Sequence, residues 1–184
     1  MKRLLAMLVV VCLLTIGCTN TPNTATDKDS SRMSNAATGV NSSNDMVEKN
    51  RATALASVQG FINHDANATL KDIAPDFVDY GDGSSPPIKG MDSCKAMINS
   101  MLTAFPDFNG ANLMTLADGS HVAVFGDWSG TFKGNMKNMS PTGKSFKLKD
   151  VDLFTFNNNG QITEHRSVQS AEAMMMQVMP DKKK

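Results

Sequence analysis

Two glycine-containing turns in the second half of the chain constrain its fold most. Asp118-Gly119 divides the stretch NLMTLADGSHVAVFGDWSGTF, and Asn158-Asn159-Gly160 divides the stretch SFKLKDVDLFTFNNNGQITEHRSVQS. Each turn separates two apolar runs, which is the pattern of a β-hairpin, and Gly160 suits the left-handed position that such a turn needs. The second half of the chain is therefore predicted to form antiparallel strands.

The first half has helical periodicity instead. We predict a helix over 47–63, a short helix over 68–74 that Pro75 would end, and a third that carries an apolar stripe from Cys94 to Phe105. The stretch DYGDGSSPP, 79–87, predicts a loop, and a last helix is predicted over 171–179. Helices that precede a run of antiparallel strands indicate an α+β fold.

The N-terminus has the layout of an exported lipoprotein. In residues 1–17, Lys2 and Arg3 precede an apolar run that is short for a membrane span, as in a secretory signal peptide. Thr15-Ile16-Gly17-Cys18 resembles a bacterial lipobox, in which Cys18 would be acylated and become the new N-terminus. Thr19 stands where signals for inner-membrane retention usually place Asp, so we expect a lipid anchor in the outer membrane, facing the periplasm.

The segment behind Cys18 has little to bury. Residues 19–46 contain 15 Ser, Thr or Asn and no aromatic residue, so they are predicted to form a disordered tether. The chain is thus divided into a signal peptide over 1–17, a lipidated tether over 18–46, a folded domain over 47–179 and a basic tail over 180–184.

Charge and cysteine content argue against several classes of function. The formal net charge of the chain is zero, which leaves no electrostatic footprint for nucleic acid. Of the three cysteines, Cys12 would leave with the signal peptide, Cys18 would carry the lipid and Cys94 stands alone. No disulfide framework can be built from that set, and without a histidine pair at helical spacing we expect no metal and no cofactor.

Five motifs, taken in order, resemble the SnoaL-like polyketide cyclase family, within the wider group similar to ketosteroid isomerase and nuclear transport factor two. They are AFPDF (104–108), HVAVFGDWSGTFKG (121–134), PTGK (141–144), VDLFTF (151–156) and GQITEH (160–165). The resemblance implies a cone-shaped, curved antiparallel sheet packed against about three helices, enclosing an apolar pocket, and often a homodimer. The family usually has Trp where this chain has Arg166 and a catalytic Asp where it has Ser170, so the scaffold carries over and the catalytic residues do not.

The turn at Gly160 also predicts the register of the last hairpin. If regular pairing continues from the turn, Phe154 lies opposite Glu164 and Asp152 opposite Arg166, all on one face. By the resemblance, this is the pocket face. His165 is assigned to the opposite, convex face.

This register supplies the candidate site. Asp152 or Glu164, desolvated by aromatic neighbours, would act as a general base. The candidate ligand-binding residues are Arg166, Trp128, Phe154, Ser170 and Tyr80. The alternatives are a structural ion pair between Asp152 and Arg166, in which the cation weakens the base, a Trp128 that only fills the core, and a solvated Tyr80.

Three functions remain open. The first is a lipid-anchored, exported domain that binds a small apolar or amphipathic molecule in its pocket. The second is a cyclase or carbon-acid isomerase that uses a pocket carboxylate as general base. The third is a dimerising interaction module whose pocket is only its core.

Overall fold

The computed structural model describes residues 30–136, 139–169 and 171–180, and side chains from Ser43 onward. The predicted signal peptide, Cys18, Ser170 and most of the basic tail lie outside the described residues. The elements, in chain order, are α1 (Ser30–Ile62), α2 (Ala66–Thr69), β1 (Ile73–Asp79), β2 (Ile88–Lys89), α3 (Met91–Ala104), β3 (Asn109–Asp118), β4 (His121–Thr131), β5 (Ser145–Phe156), β6 (Ile162–Ser167) and α4 (Ala171–Val178).

The six strands form one curved, open sheet in the order β2-β1-β6-β5-β4-β3. Every neighbouring pair is antiparallel except β1 and β6, which run parallel. Both predicted hairpins are confirmed, with Gly119 at φ 55° and Gly160 at φ 74° in the left-handed region. The predicted α+β class with a curved sheet is confirmed, although the sheet is antiparallel only outside the β1–β6 pair, and four helices are seen in the described residues.

Two helices differ from the sequence prediction. Helix α1 begins at Ser30, so part of the predicted tether is helical, because a helix that is already formed gains one hydrogen bond for each residue added. Helix α2 covers only Ala66–Thr69, where Asp65 Oδ1 accepts hydrogen bonds from the backbone N–H groups of Asn67 and Ala68. The predicted helix over 68–74 is wrong.

Pro75 does not end a helix but lies inside strand β1. The ladder between β1 and β6 is irregular between Ile73 and Val78, and β2 pairs only with Val78 and Asp79. A proline is tolerated at such a position because no ladder hydrogen bond needs its missing N–H. Strand β1 places Asp79 at the inner side of the sheet, where Asp79 is 8% exposed.

The core lies between the concave face of the sheet and helices α1 and α3. Strand β4 buries every second residue, as a half-buried strand should. The buried side chains from the sheet include Val122, Val124, Phe146, Phe154 and Phe156, and those from the helices include Ala54, Val58, Cys94, Ile98 and Leu102. The predicted apolar stripe of the third helix is thus confirmed.

The convex face of the sheet carries an apolar patch, which we call the convex patch. Phe125 lies opposite both Met114 and Val151, and Ala123 lies opposite both Leu116 and Leu153. Met114 and Leu116 are more than half exposed.

Among the described helices, none is long and apolar enough to cross a membrane.

Candidate functional site

A β-bulge in β6 decides which side chains face the interior. The predicted register holds at the pair of Phe156 and Ile162 but fails at the next one, because Thr155 pairs with Glu164 and leaves Thr163 as an extra residue. The Thr163 hydroxyl donates a hydrogen bond of 3.2 Å to the backbone carbonyl of Thr155. A bulge of this kind transfers every later residue of its strand to the other face.

The predicted pairing of Asp152 with Arg166 is therefore wrong. Asp152 lies opposite Ser167, and His165 lies opposite Phe154 rather than on the convex face. His165 faces the interior, and Arg166 points outward.

The sheet and its helices enclose a cavity of about 510 Å³. Its walls are mostly apolar, with aromatic side chains from the sheet and six methionines from three parts of the chain: Met97 and Met101 of α3, Met136 and Met139 between β4 and β5, and Met174 and Met175 of α4. Cavities of this size and lining are typical of small-molecule sites.

His165 is held between two carboxylates at the wall of this cavity. Its Nδ1 lies 3.0 Å from Oδ1 of Asp79, and its Nε2 lies 3.1 Å from Oδ1 of Asp152. Burial alone would lower the pKa of His165, but the hydrogen bonds and charges of the two aspartates outweigh it and raise that pKa to about 10. Burial likewise opposes the charged form of Asp79, yet His165 lowers its pKa overall. The cluster is therefore an imidazolium between two carboxylates at neutral pH.

Asp150 and Asp152 face the same cavity but differ in their partners. The Asp150 carboxylate accepts hydrogen bonds from the backbone N–H groups of Val151 and Gln169 and from the Ser167 hydroxyl. Asp152 accepts one, from His165, and its Oδ2 has no hydrogen-bond partner among the described residues. Asp150 thus fixes the end of β6, whereas Asp152 keeps an oxygen available for chemistry.

Trp128 lines the cavity and also belongs to the core. It is 7% exposed, and its indole stacks on Phe108 with 5.7 Å between ring centroids. Gly110 and Gly126 leave room for the ring, since a Cβ at Gly126 would lie 3.0 Å from it. The indole N–H is buried and has no acceptor within the described part of the chain.

Of the predicted polar residues, Glu164, Arg166 and Tyr80 do not line the cavity. Glu164 and Arg166 form an ion pair of 3.4 Å outside it, and the Arg166 guanidinium stacks 3.8 Å above the Tyr80 ring. Phe154 does line the cavity. Sequence reasoning missed Asp79, because Pro75 hid its strand, and His165, because no local signal marked the bulge.

A curved, open sheet over a mostly apolar cavity with one buried ionic cluster defines a pocket domain of the cone-shaped α+β class. The sequence profile of the SnoaL-like polyketide cyclase family matches residues 43–178. The chain belongs to that family. No functionally curated protein matches it.

Solved structures with the same fold are only distantly similar in sequence. A SnoaL-like protein from Jannaschia sp. CCS1 has a TM-score of 0.65 at 20% identity, over 72% of this chain and 93% of its own. A protein assigned as a polyketide cyclase from Xanthomonas campestris pv. campestris has 0.66 at 17%, over 73% and 99%. A protein with a ketosteroid isomerase-like fold from Catenulispora acidiphila, in complex with trimethylamine, has 0.58 at 16%, over 72% and 96%.

The ionic cluster predicts the titration of His165. We expect its ring to stay protonated through the neutral range and to titrate at about 10, as read from ¹⁵N NMR of the imidazole. Because the pKa is raised from 6.5, the stabilisation is complete below 6.5 and is lost as the pH rises through about 10.

Removing one carboxylate tests the cause of this shift. Asp79→Asn should lower the pKa of His165 by about one unit or more, because an opposite charge is lost. Asp127→Asn, which removes a carboxylate paired with Lys149 on the convex face, should leave it unchanged. A wild-type ring that titrates near 6.5 would contradict the assignment.

Proposed function

We propose that this domain binds a small apolar or amphipathic molecule in the cavity. The single observation that supports this most is a cavity of about 510 Å³ whose mostly apolar wall contains the ionic cluster of Asp79, His165 and Asp152. Apolar walls supply affinity, and a few fixed polar groups orient the ligand. The trimethylamine complex of the Catenulispora protein supports the idea that this fold accommodates small organic molecules.

Filling the cavity should weaken binding. Met97→Trp places a large ring in the cavity wall, and we expect it to weaken the binding of the neutral fluorescent probe N-phenyl-1-naphthylamine by roughly tenfold or more. Met91→Trp is the matched control, because Met91 is on the same helix, is 48% exposed and does not line the cavity. Equal loss in both variants, or no probe binding by the wild type, would contradict the proposal.

A second candidate is general base catalysis on a carbon acid, as in a cyclase or isomerase. It is favoured by the free Oδ2 of Asp152, which stands in an apolar cavity with its other oxygen fixed by His165. His165 is already protonated and cannot be the base, so it positions Asp152 and balances its charge. The family's usual catalytic position, Ser170, is not needed for this mechanism.

A generic proton-abstraction substrate tests this candidate. We expect the wild type to open 5-nitrobenzisoxazole by removing its carbon-bound proton, and Asp152→Asn to lower kcat/KM by roughly 100-fold or more. Glu164→Gln should have no effect, since Glu164 lies outside the cavity. Equal activity in Asp152→Asn and the wild type would remove Asp152 from the role.

We also propose that the chain is exported and anchored to the cell envelope, in the outer membrane, through an acylated Cys18. The charged start, apolar run and lipobox-like sequence of residues 1–18 support this. A domain on such an anchor would meet its ligand at the membrane surface.

The anchor predicts a change in fractionation. The wild type should fractionate with membranes and gain the mass of a lipid on Cys18, whereas Cys18→Ala should lose both properties. Cys94→Ala is the control, because Cys94 is buried in the domain. An unmodified wild-type chain in the soluble fraction would contradict the anchor.

Finally, we propose that the domain forms a homodimer through the convex patch. Three large apolar side chains of this patch, Met114, Leu116 and Leu153, are exposed. Several exposed apolar side chains on one sheet face are typical of an interaction surface. The patch is continuous across β3, β4 and β5, and the occupant that matches it is a second copy of the same face.

A charge placed in the convex patch should separate the subunits. Leu116→Glu is expected to halve the mass measured by analytical ultracentrifugation, because a carboxylate cannot be buried unpaired. Lys147→Glu, an exposed position on the polar end of the same sheet, should leave the dimer intact. A monomeric wild type would refute the proposal.

A further inference from the structure

The charged residues that line the cavity are almost all acidic. They are Asp79, Asp82, Asp150, Asp152 and His165, and no Lys or Arg among the described residues lines the cavity. Four aspartates and one imidazolium give formal charges of −4 and +1, a net of −3. In a cavity with mostly apolar walls, such a charge acts with little screening and favours a ligand of opposite sign.

The one cation of the lining is not available to an anionic ligand. Both ring nitrogens of His165 are directed at carboxylates, Nδ1 at Asp79 and Nε2 at Asp152. No N–H of this ring remains to donate to a carboxylate or phosphate group of a ligand. An anion in the cavity would face several aspartates without a compensating partner, which is costly.

Two carboxylate oxygens of the cavity wall have no hydrogen-bond partner in the described part of the chain. They are Oδ2 of Asp79 and Oδ2 of Asp152, since the other oxygen of each carboxylate accepts from His165. The Asp152 side chain is the more exposed of the two, at 17% against 10%. Carboxylate oxygens in a mostly apolar wall are rarely left without a donor, so they favour a ligand that donates hydrogen bonds.

Resting on the proposed binding function, we propose that the natural ligand is a cationic amine with an apolar body. Its ammonium group donates a charge-assisted hydrogen bond to Oδ2 of Asp152, the more exposed of the two carboxylate oxygens without a partner. Its apolar body lies along Trp128 and the methionines of α3 and α4, whose flexible thioethers adapt to irregular shapes.

Three probes with one carbon skeleton separate charge from shape. They are 4-phenylbutylamine, 4-phenylbutan-1-ol and 4-phenylbutanoate, which are cationic, neutral and anionic at neutral pH. Binding to the purified chain is followed by the fluorescence of Trp128, the only tryptophan in the sequence, and checked by calorimetry. We expect the amine to bind at least about tenfold more tightly than the alcohol and the carboxylate to bind most weakly.

Asp152→Asn should remove the preference for the amine while the alcohol still binds. Asp127→Asn, on the convex face, should preserve the preference. If the alcohol binds but the amine has no advantage, or if Asp152→Asn keeps that advantage, the inference is overturned and the cavity remains a binding site. If none of the three probes binds, both the amine preference and the proposed binding function are contradicted.

Discussion

The ionic cluster of Asp79, His165 and Asp152 is the interaction on which the site depends. It joins three neighbouring strands, β1, β6 and β5, through one imidazolium ring. Removing either aspartate would leave the imidazolium with one counter-charge fewer in a mostly apolar wall, which destabilises the arrangement. The cluster therefore fixes the parallel pairing of β1 on β6 and holds a negative charge at the wall of an otherwise mostly apolar cavity.

The cavity and the cluster follow from small departures from regular structure. Thr163 adds a residue to β6 and turns His165 inward, and the irregular ladder around Pro75 delivers Asp79 to the same place. The glycines at 110 and 126 leave space for the Trp128 ring beside them. The scaffold is shared with the SnoaL-like family, but its ionic cluster is formed by Asp79, His165 and Asp152. The resemblance places the family's usual catalytic Asp elsewhere, at Ser170.

The sequence predicts the parts of this fold that local signals determine. Turn residues such as Gly119 and Gly160, and the apolar stripe of α3, act within a few residues, so both hairpins and that helix are correctly predicted. The site depends on contacts that local signals do not encode. The bulge is stabilised across the strand pair by the Thr163 hydroxyl, and Asp79 meets His165 from a strand distant in sequence. Because a shift of one residue in register exchanges the two faces of a strand, the regular pairing places Arg166 in the pocket and His165 on the surface, the reverse of what is observed.

The most direct test of the account is therefore the register of β5 on β6. In a Cys94→Ala background, Leu153→Cys combined with Arg166→Cys should form a disulfide on mild oxidation, because these two positions lie directly opposite each other. Leu153→Cys combined with His165→Cys should not, since the two side chains point to opposite faces. The reverse result would restore the regular pairing, return His165 to the convex face and remove the cluster from the cavity.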